Sequence, residues 1–237
     1  MTTILLDLKS ASFIQVLKLG LIINLTIFFA SIILYKVLSF LPKTKVFGEK
    51  QEITKEDIQL SLITVVSNTI VFVLGVYLWK FGIIKIELSK TNFELLVEVI
   101  ILICSMDILM YLFHRFVHII PFLKQIHARH HIHESTNSLS LFVLSPVESI
   151  GFGLMILAVI FIIPFSATSI SIYLAINSIW GTIGHLNHSI LPKNVLRFLE
   201  KTSVCTSEFH YNHHQFPSCN FGFYTSIWDK LFKTEKN

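Results

Sequence analysis

Apolar residues along this chain occur in long blocks that are separated by short polar segments. Three blocks, residues 13–41, 58–79 and 93–113, are each about as long as a helix needs to be to cross a bilayer, roughly 20 residues. A fourth block, 146–185, is interrupted at Pro164, where proline and small residues can close a turn. The pattern predicts three spanning helices and a helical hairpin, and therefore five crossings, or three crossings with a re-entrant pair.

Polar residues at the start of three of these blocks have the spacing of a capping box, in which the first residue and the residue three positions later cap each other's backbone N–H groups. We expect each pair to begin a helix near the membrane surface. The pairs are Thr54 with Asp57, Thr91 with Glu94, and Ser145 with Glu148. The start of the chain has neither the positive end nor the cleavage site of a signal peptide, so the first span is expected to remain.

Composition favours a membrane protein, because 53% of the residues are hydrophobic and only 14% are charged. The net charge of +4 comes from scattered basic residues, which gives no support for nucleic-acid binding. The three cysteines form no CxxC pair, which argues against a disulfide framework or a thiolate metal site.

Lysine and arginine residues predict the orientation. Residues 42–57 hold four of them, 115–145 three and 187–237 six, whereas 80–92 hold three. With five crossings the first three segments share one side, which the positive-inside tendency makes the cytoplasm. The expected location is the inner membrane of a bacterial cell or the endoplasmic reticulum of a eukaryote, with every histidine on or near the cytoplasmic face.

The chain has eleven histidines, and all of them lie between residues 114 and 214. His114 and His118 are one helical turn apart, and Asp107 and Tyr111 continue the same stripe into the apolar block. A carboxylate at that depth is costly without a partner, so we expect Asp107 to support this histidine pair. The alternative is a helix end whose histidines reach water.

The pattern His-x2-His-His occurs twice. In a helix the three rings fan over about 100° of one face, so they can converge on one metal ion or straddle two. The motifs are His127, His130 and His131, and His210, His213 and His214. The alternative for either copy is a polar helix at the membrane surface. His133 points away from the first trio if that helix continues, which favours a surface or supporting role.

The hairpin ends in His185 and His188, and Asn177, Gly181 and Gly184 lie on the stripe that leads to His188. The glycines are expected to allow close helix approach. The pair is a further set of ligand candidates, and its alternative is two interfacial histidines with ordinary hydrogen bonds.

Ten candidate ligands exceed the coordination of one ion, which predicts two metal ions with a position left open for oxygen or water. Carboxylates are expected to orient the imidazoles, and Asp107 and Glu148 are the two that we assign to catalysis, although Glu148 also has the capping role. The full set is Asp107, Glu134, Glu148, Glu208 and Asp229.

Residues 107–234 resemble the fatty acid hydroxylase and sterol desaturase superfamily of integral-membrane di-iron enzymes. The resemblance rests on the Asp-x3-Tyr-x2-His-Arg-x2-His stretch ending at His118, on both His-x2-His-His motifs, and on the segments Asn220-Phe221-Gly222 and 228–232. It differs at Ser145, where many relatives carry a histidine before Pro-x-Glu.

The resemblance implies a helical membrane fold in which histidines bind two iron ions. These ions activate O₂ against an unactivated C–H bond of a lipid, such as a fatty acyl chain or a sterol, by hydroxylation or desaturation. Zinc can replace this iron on overexpression because it binds more tightly. Some relatives carry a fused cytochrome b5 module, but this chain has no further pair of histidines for a haem. A separate electron donor of the cytochrome b5 or ferredoxin type is therefore expected.

Together these arguments predict an all-α integral membrane protein with four to five transmembrane or re-entrant helices and a cytosolic, histidine-rich helical cap. Residues 1–92 are expected to hold the N-terminal helices and residues 93–237 the catalytic region. The alternatives are a membrane protein that binds metal without redox turnover, a haem-binding electron carrier, and a zinc hydrolase. The hydrolase is disfavoured because the helix at His133-Glu134 lacks the second zincin histidine.

Overall fold

Three long apolar helices form the body of the protein. The computed structural model describes residues 7–87, 90–132 and 136–236. The long helices are α1 (Phe13–Ser39), α2 (Lys55–Lys80) and α3 (Asn92–Ile119), and each is long and apolar enough to cross a membrane. Their outward faces carry many exposed Leu, Ile, Val and Phe side chains. Such continuous apolar surface is stable only in lipid, and the protein is an all-α membrane protein.

The predicted capping boxes are confirmed. Thr54, Thr91 and Ser145 each cap a helix and each accept from the backbone N–H three residues on. A further capping box at Ser12 and Gln15 begins α1, which the sequence interpretation missed. These caps satisfy N–H groups that would otherwise stay unpaired at the ends of helices.

The predicted hairpin consists of α5 (Pro146–Ile162) and α6 (Ala167–Gly184), with a turn between them. At the turn, strand β3 (Phe165–Ser166) pairs in parallel with strand β2 (Ile86–Glu87), which precedes α3. Glu98, one turn and a half into α3, accepts hydrogen bonds from the backbone and side chain of Ser166. The tip of the hairpin therefore lies beside the connection between α2 and α3.

The opposite end of the bundle carries the polar cap. Strand β1 (Lys45–Val46), after α1, pairs antiparallel with β4 (His188–Ser189), after α6. The remaining cap elements are α4 (Pro121–His131), a 3-10 turn (Ser140–Phe142), α7 (Lys193–Lys201), α8 (Ser207–Gln215) and α9 (Ile227–Leu231). The histidine-bearing segments that the structure describes thus meet at one end of the bundle, and which compartment that end faces remains a prediction.

The core lies along α3. Leu102 and Met106 pack against Val159 of α5 and Tyr173 of α6, and Phe165 of the hairpin turn closes the cluster. A second cluster joins α1, α2 and the 3-10 turn. Because α1 contacts α6 and α2 contacts α5, the segments on either side of residue 92 form one bundle. The functional division at residue 92 stays a prediction.

Glycines bring the hairpin close to its neighbours at Gly181, as the sequence predicted, and also at Gly153, which the sequence interpretation did not name. A Cβ at Gly153 would lie 2.6 Å from Cγ1 of Val71, and a Cβ at Gly181 would lie 2.7 Å from Cδ1 of Leu141. The prediction for Gly184 is wrong, because a Cβ there would meet nothing within 4 Å. Gly184 borders open space rather than a helix contact.

Candidate metal centre

The last turns of α3 carry His114 and His118 into the cap. Nδ1 of His114 donates to the carbonyl oxygen of Phe221 at 3.1 Å. This carbonyl belongs to the segment between α8 and α9, more than one hundred residues further along the chain. The contact orients the ring so that Nε2 is left for other partners.

Helix α4 supplies the first His-x2-His-His motif and separates its members. His127 and His131, one turn apart, face His118, and their Nε2 atoms lie 3.0 Å from each other. His130 points to the side, where its Nδ1 donates to the carbonyl oxygen of Val143 at 3.2 Å. The three rings spread over about one third of a turn around the helix. His127 and His131 therefore point in one direction and His130 in another.

Helix α8 repeats this division with the second motif. Nε2 of His213 lies 3.1 Å from Nε2 of His131, whereas Nε2 of His210 lies 3.1 Å from Nε2 of His214. Nδ1 of His213 donates to the carbonyl oxygen of Cys219 at 2.6 Å. Thr206 caps α8 through the backbone N–H of Phe209 and so fixes where the helix starts.

The end of α6 adds one histidine to the cluster. His185 follows the last residue of the helix, donates through Nδ1 to the carbonyl oxygen of Gly181 at 2.7 Å, and brings Nε2 to 3.3 Å from that of His210. His188 lies in β4, where its Nδ1 contacts Oδ1 of Asn187 at 2.9 Å. It is in neither of the two groups described next, and its role as a metal ligand remains a prediction.

Of the histidines that the structure describes, nine form two adjacent groups, and in each group one ligand atom per residue lies within 4.8 Å of the others. The ring centroids of His131 and His214, one from each group, are 4.8 Å apart. The first group contains His114, His118, His127, His131 and His213, and the second contains His130, His185, His210 and His214. Each His-x2-His-His motif therefore contributes histidines to both groups, which is one of the two arrangements that the helical spacing allowed.

The hydrogen bonds identify which nitrogen of these rings carries the proton. A carbonyl oxygen only accepts, so the rings of His114, His130 and His213 must be protonated on Nδ1. Their Nε2 atoms then present lone pairs, and these lone pairs converge on one another inside each group. Converging lone pairs repel unless a cation lies between them, so the residues fit two metal ions.

Burial keeps five of the cap histidines in the neutral form that binds metal. It lowers the pKa of these five imidazoles on α4 and α8, and the neighbouring imidazoles lower it further, so that the five rings carry no charge at neutral pH. The pKa of His131 falls to about 3. The pKa values of His130, His210, His213 and His214 fall well below the usual value.

Glu148 contacts the first group directly. Its Oε1 accepts a hydrogen bond from Nδ1 of His127, and its Oε2 accepts from the backbone N–H of Ser145 at 3.0 Å. The carboxylate is buried and caps α5 at the same time. The contact with a histidine and the capping role that the sequence suggested for Glu148 thus occur in one side chain, whereas the assignment of Glu148 and Asp107 to catalysis stays a prediction.

Asp107 lies deeper in the bundle and holds the C-terminal segment. Its Oδ1 accepts from the backbone N–H groups of Tyr224 and Thr225 at 3.1 and 3.0 Å, and its Oδ2 accepts from Nε1 of Trp228 at 3.0 Å. The hydroxyl of Thr225 donates to the same carboxylate at 2.5 Å. Asp107 acts on the histidines indirectly. It anchors the backbone segment that contains the Phe221 carbonyl, and this carbonyl orients His114.

The other proposed carboxylates have different surroundings. Asp229 is buried and accepts from the backbone N–H groups of Phe221 and Gly222 at 2.9 and 2.7 Å, which fixes the same segment. Glu208 forms an ion pair with Lys45 at the protein surface. Glu134 and the neighbouring His133 lie outside the described residues, so the prediction made for each of them is untested.

The sequence interpretation missed the backbone carbonyls that orient the rings. Those of Val143, Cys219 and Phe221 accept from His130, His213 and His114, and no side-chain pattern identifies them. An apolar cavity beside the second group is lined by the end of α6, by α7 and by the start of α8.

The fold and the site define a helical membrane protein with a buried histidine site at one end of its bundle, fitted for two metal ions. Residues 99–234 match the family model described as Fatty acid hydroxylase. The match covers more than half of the chain, and the chain belongs to this family.

A comparison with curated proteins finds a relative of known activity. Human lathosterol oxidase is 27% identical to this chain over 146 residues, which are 61% of this chain and 47% of the human protein. The chain therefore spans about half of the length of the relative that it matches. No solved structure matches the chain with significance.

Proposed function

We propose that this protein is a membrane-embedded, di-iron, O₂-dependent oxidoreductase that hydroxylates an alkyl C–H bond of a lipid. The observation that carries the proposal is the convergence of nine imidazoles into two adjacent groups at one end of a transmembrane bundle. Membership of the fatty acid hydroxylase family and the similarity to human lathosterol oxidase support lipid oxidation as the reaction.

The donor set favours redox metal over a structural ion. A structural zinc site is closed by four ligands, commonly including thiolates, whereas these groups consist of five and four imidazoles. When bound, two iron ions would supply the activation of O₂ and the oxidising power for an unactivated C–H bond.

The chain's own residues would prepare the site. The carbonyls of Phe221, Val143 and Cys219 keep a proton on Nδ1 of three rings and leave Nε2 available. Glu148 does the same for His127 and adds a negative charge that makes the imidazole a stronger donor. Burial of the groups excludes bulk water, which protects the oxidation from side reactions.

The reaction needs electrons from elsewhere. Hydroxylation converts R–H, O₂, two electrons and two protons into R–OH and water; desaturation uses the same inputs and yields an alkene and two waters. We propose that a separate electron-transfer protein, of the cytochrome b5 or ferredoxin type, delivers the electrons at the cap. Hydroxylation is the first candidate and desaturation the second.

The test is metal analysis followed by turnover. Protein purified without oxygen is expected to hold about two iron ions per chain, since the two groups exceed the coordination of a single ion. Zinc in their place would leave the site assignment intact. Reconstituted in membrane lipid with a reductant and ¹⁸O₂, the iron form is expected to give a lipid that carries one labelled oxygen atom.

The outcomes separate the alternatives. An oxidised lipid without the label indicates desaturation. Bound iron with no O₂ consumption over a range of lipids and donors would mean a metal-binding protein without turnover. A folded protein that binds one ion or none would contradict the di-metal site.

A further inference from the structure

An apolar cavity of about 180 Å³ opens onto the second histidine group. His185 and His210, both members of that group, lie in its wall together with the end of α6, the loop after β4 and helix α7. The wall is almost entirely hydrocarbon, which favours an apolar occupant. The main apolar side chains are Ile183, Leu186, Ile190, Leu191, Leu196 and Leu199.

Helix α7 forms the outer side of this cavity and has the character of a helix at a membrane surface. In the helix Leu196 and Leu199 share a face and border the cavity, and Phe198 on the same half is 64% exposed. Lys193, Arg197 and Lys201 occupy the opposite half, and α7 contains no buried residue. An amphipathic, basic helix of this kind lies in the plane of the interface with its apolar side towards the lipid.

The volume of the cavity restricts what can enter it. Sites that enclose a whole small molecule measure roughly 300–1,000 Å³, and a fused ring system needs that space in one piece. The cavity here is smaller. A linear alkyl chain can place one end in a narrow cavity while the rest of the chain stays in the membrane.

Gly184, the last residue of α6, contributes only backbone atoms to the wall of the cavity. It lines the cavity, it precedes His185 directly, and a Cβ there would meet nothing within 4 Å. A larger side chain at this position therefore fits without a clash, and it reduces the volume of the cavity.

We propose that this cavity receives the linear alkyl chain of a lipid, which enters from the membrane beneath α7 and passes Gly184 to reach the four-histidine group. This assignment rests on the proposed function for the reaction that the bound alkyl chain undergoes. It assigns the substrate class as a straight acyl or alkyl lipid, and it makes residue 184 a determinant of how far the chain can enter.

Photo-crosslinking tests the pocket without turnover. The iron-loaded protein in phosphatidylcholine vesicles is irradiated with a fatty acid that carries a diazirine near its methyl end, or with a sterol that carries a diazirine in its ring system. The fatty acid is expected to label peptides that contain Ile183, Leu186 or Leu199. Gly184→Ala and Gly184→Leu are expected to lower this labelling in order of size, by about tenfold for leucine.

Ser171→Leu is the matched control, because Ser171 is an exposed residue of α6 that does not line the cavity. It places the same leucine side chain on the same helix, and its labelling is expected to equal that of the wild type. Iron content and the apparent melting temperature show that each variant is folded.

Three results overturn the pocket: labelling by the fatty acid that is unchanged in Gly184→Leu, labelling of these peptides by the sterol and not by the fatty acid, or lipid oxidation that is unchanged in Gly184→Leu. Failure of the proposed function looks different. If the wild-type protein is labelled at the cavity but oxidises no lipid, the pocket assignment stands and the proposed reaction is wrong. If lipid oxidation is unchanged in Gly184→Leu, the proposed reaction stands and the pocket assignment is wrong.

Discussion

Oε1 of Glu148 accepts a hydrogen bond from Nδ1 of His127, and the second oxygen of the same carboxylate caps α5 at Ser145. One buried side chain thus joins the start of the hairpin to a ligand candidate on α4. The arrangement makes the direction of the His127 ring depend on where α5 begins.

Glu148→Ala is expected to lower the metal affinity of the five-histidine group by about 10–100-fold, the usual effect of removing a carboxylate that orients a ligating imidazole. Competition with a chelator, followed by metal analysis, measures the change. Ser145→Ala is the control, because it removes the cap and leaves the contact with His127. It is expected to cost about 1 kcal/mol of stability and to leave metal binding unchanged. Equal metal loss in both variants would show that Glu148 acts only as a cap.

His130→Ala and His213→Ala each remove one imidazole from a different group. Both are expected to abolish product formation in an inserted, folded protein, and each is expected to lower the iron content from about two towards one. Elemental analysis together with an assay for O₂-dependent lipid oxidation checks both effects. His133→Ala is expected to keep substantial activity, because helical spacing directs residue 133 away from the first trio. Turnover at the wild-type rate in His213→Ala would contradict the site.

Trp228→Phe removes one of the hydrogen bonds that Asp107 accepts. We expect a loss of about 1.5–3 kcal/mol, the usual value of a hydrogen bond to a charged group. Iron in the five-histidine group is also expected to fall, since the same segment presents the Phe221 carbonyl to His114. Thermal unfolding and iron analysis measure the two effects. Trp79→Phe, at the other end of the bundle, is expected to leave the iron content unchanged.

The native cysteines are poor reporters of orientation. Cys205 and Cys219 are buried, and burial raises the pKa of both thiols, so a hydrophilic reagent reacts slowly with them on either side. Cys104 is exposed near the middle of α3, where lipid surrounds it.

Exposed lysines at opposite ends of the bundle offer a direct test of orientation. With the cap in the cytoplasm, Lys85→Cys is expected to react with an impermeant maleimide in intact cells, and Lys201→Cys only after lysis. The reverse pattern would place the histidines outside and remove their access to cytosolic reductants.

The sequence alone determined the helical membrane architecture and the type of site. Lipid permits only segments that satisfy their own backbone hydrogen bonds, so a long apolar block must be a helix, and the predicted capping boxes marked where helices begin. The repeated histidine motifs predicted two ions because their number exceeds the coordination of one. These inferences depend on local spacing, which the chain carries with it.

The tertiary structure decided which histidine belongs to which group and what surrounds each one. His131 meets His213 across 82 residues, and His114 meets the carbonyl of Phe221 across 107. Such pairings depend on how α4 and α8 are rotated about their axes and on the segment that Asp107 anchors. The same packing left space beside Gly184, where the sequence predicted a helix contact. Rotation and packing are set by the combined contacts of all elements, and no single motif encodes them.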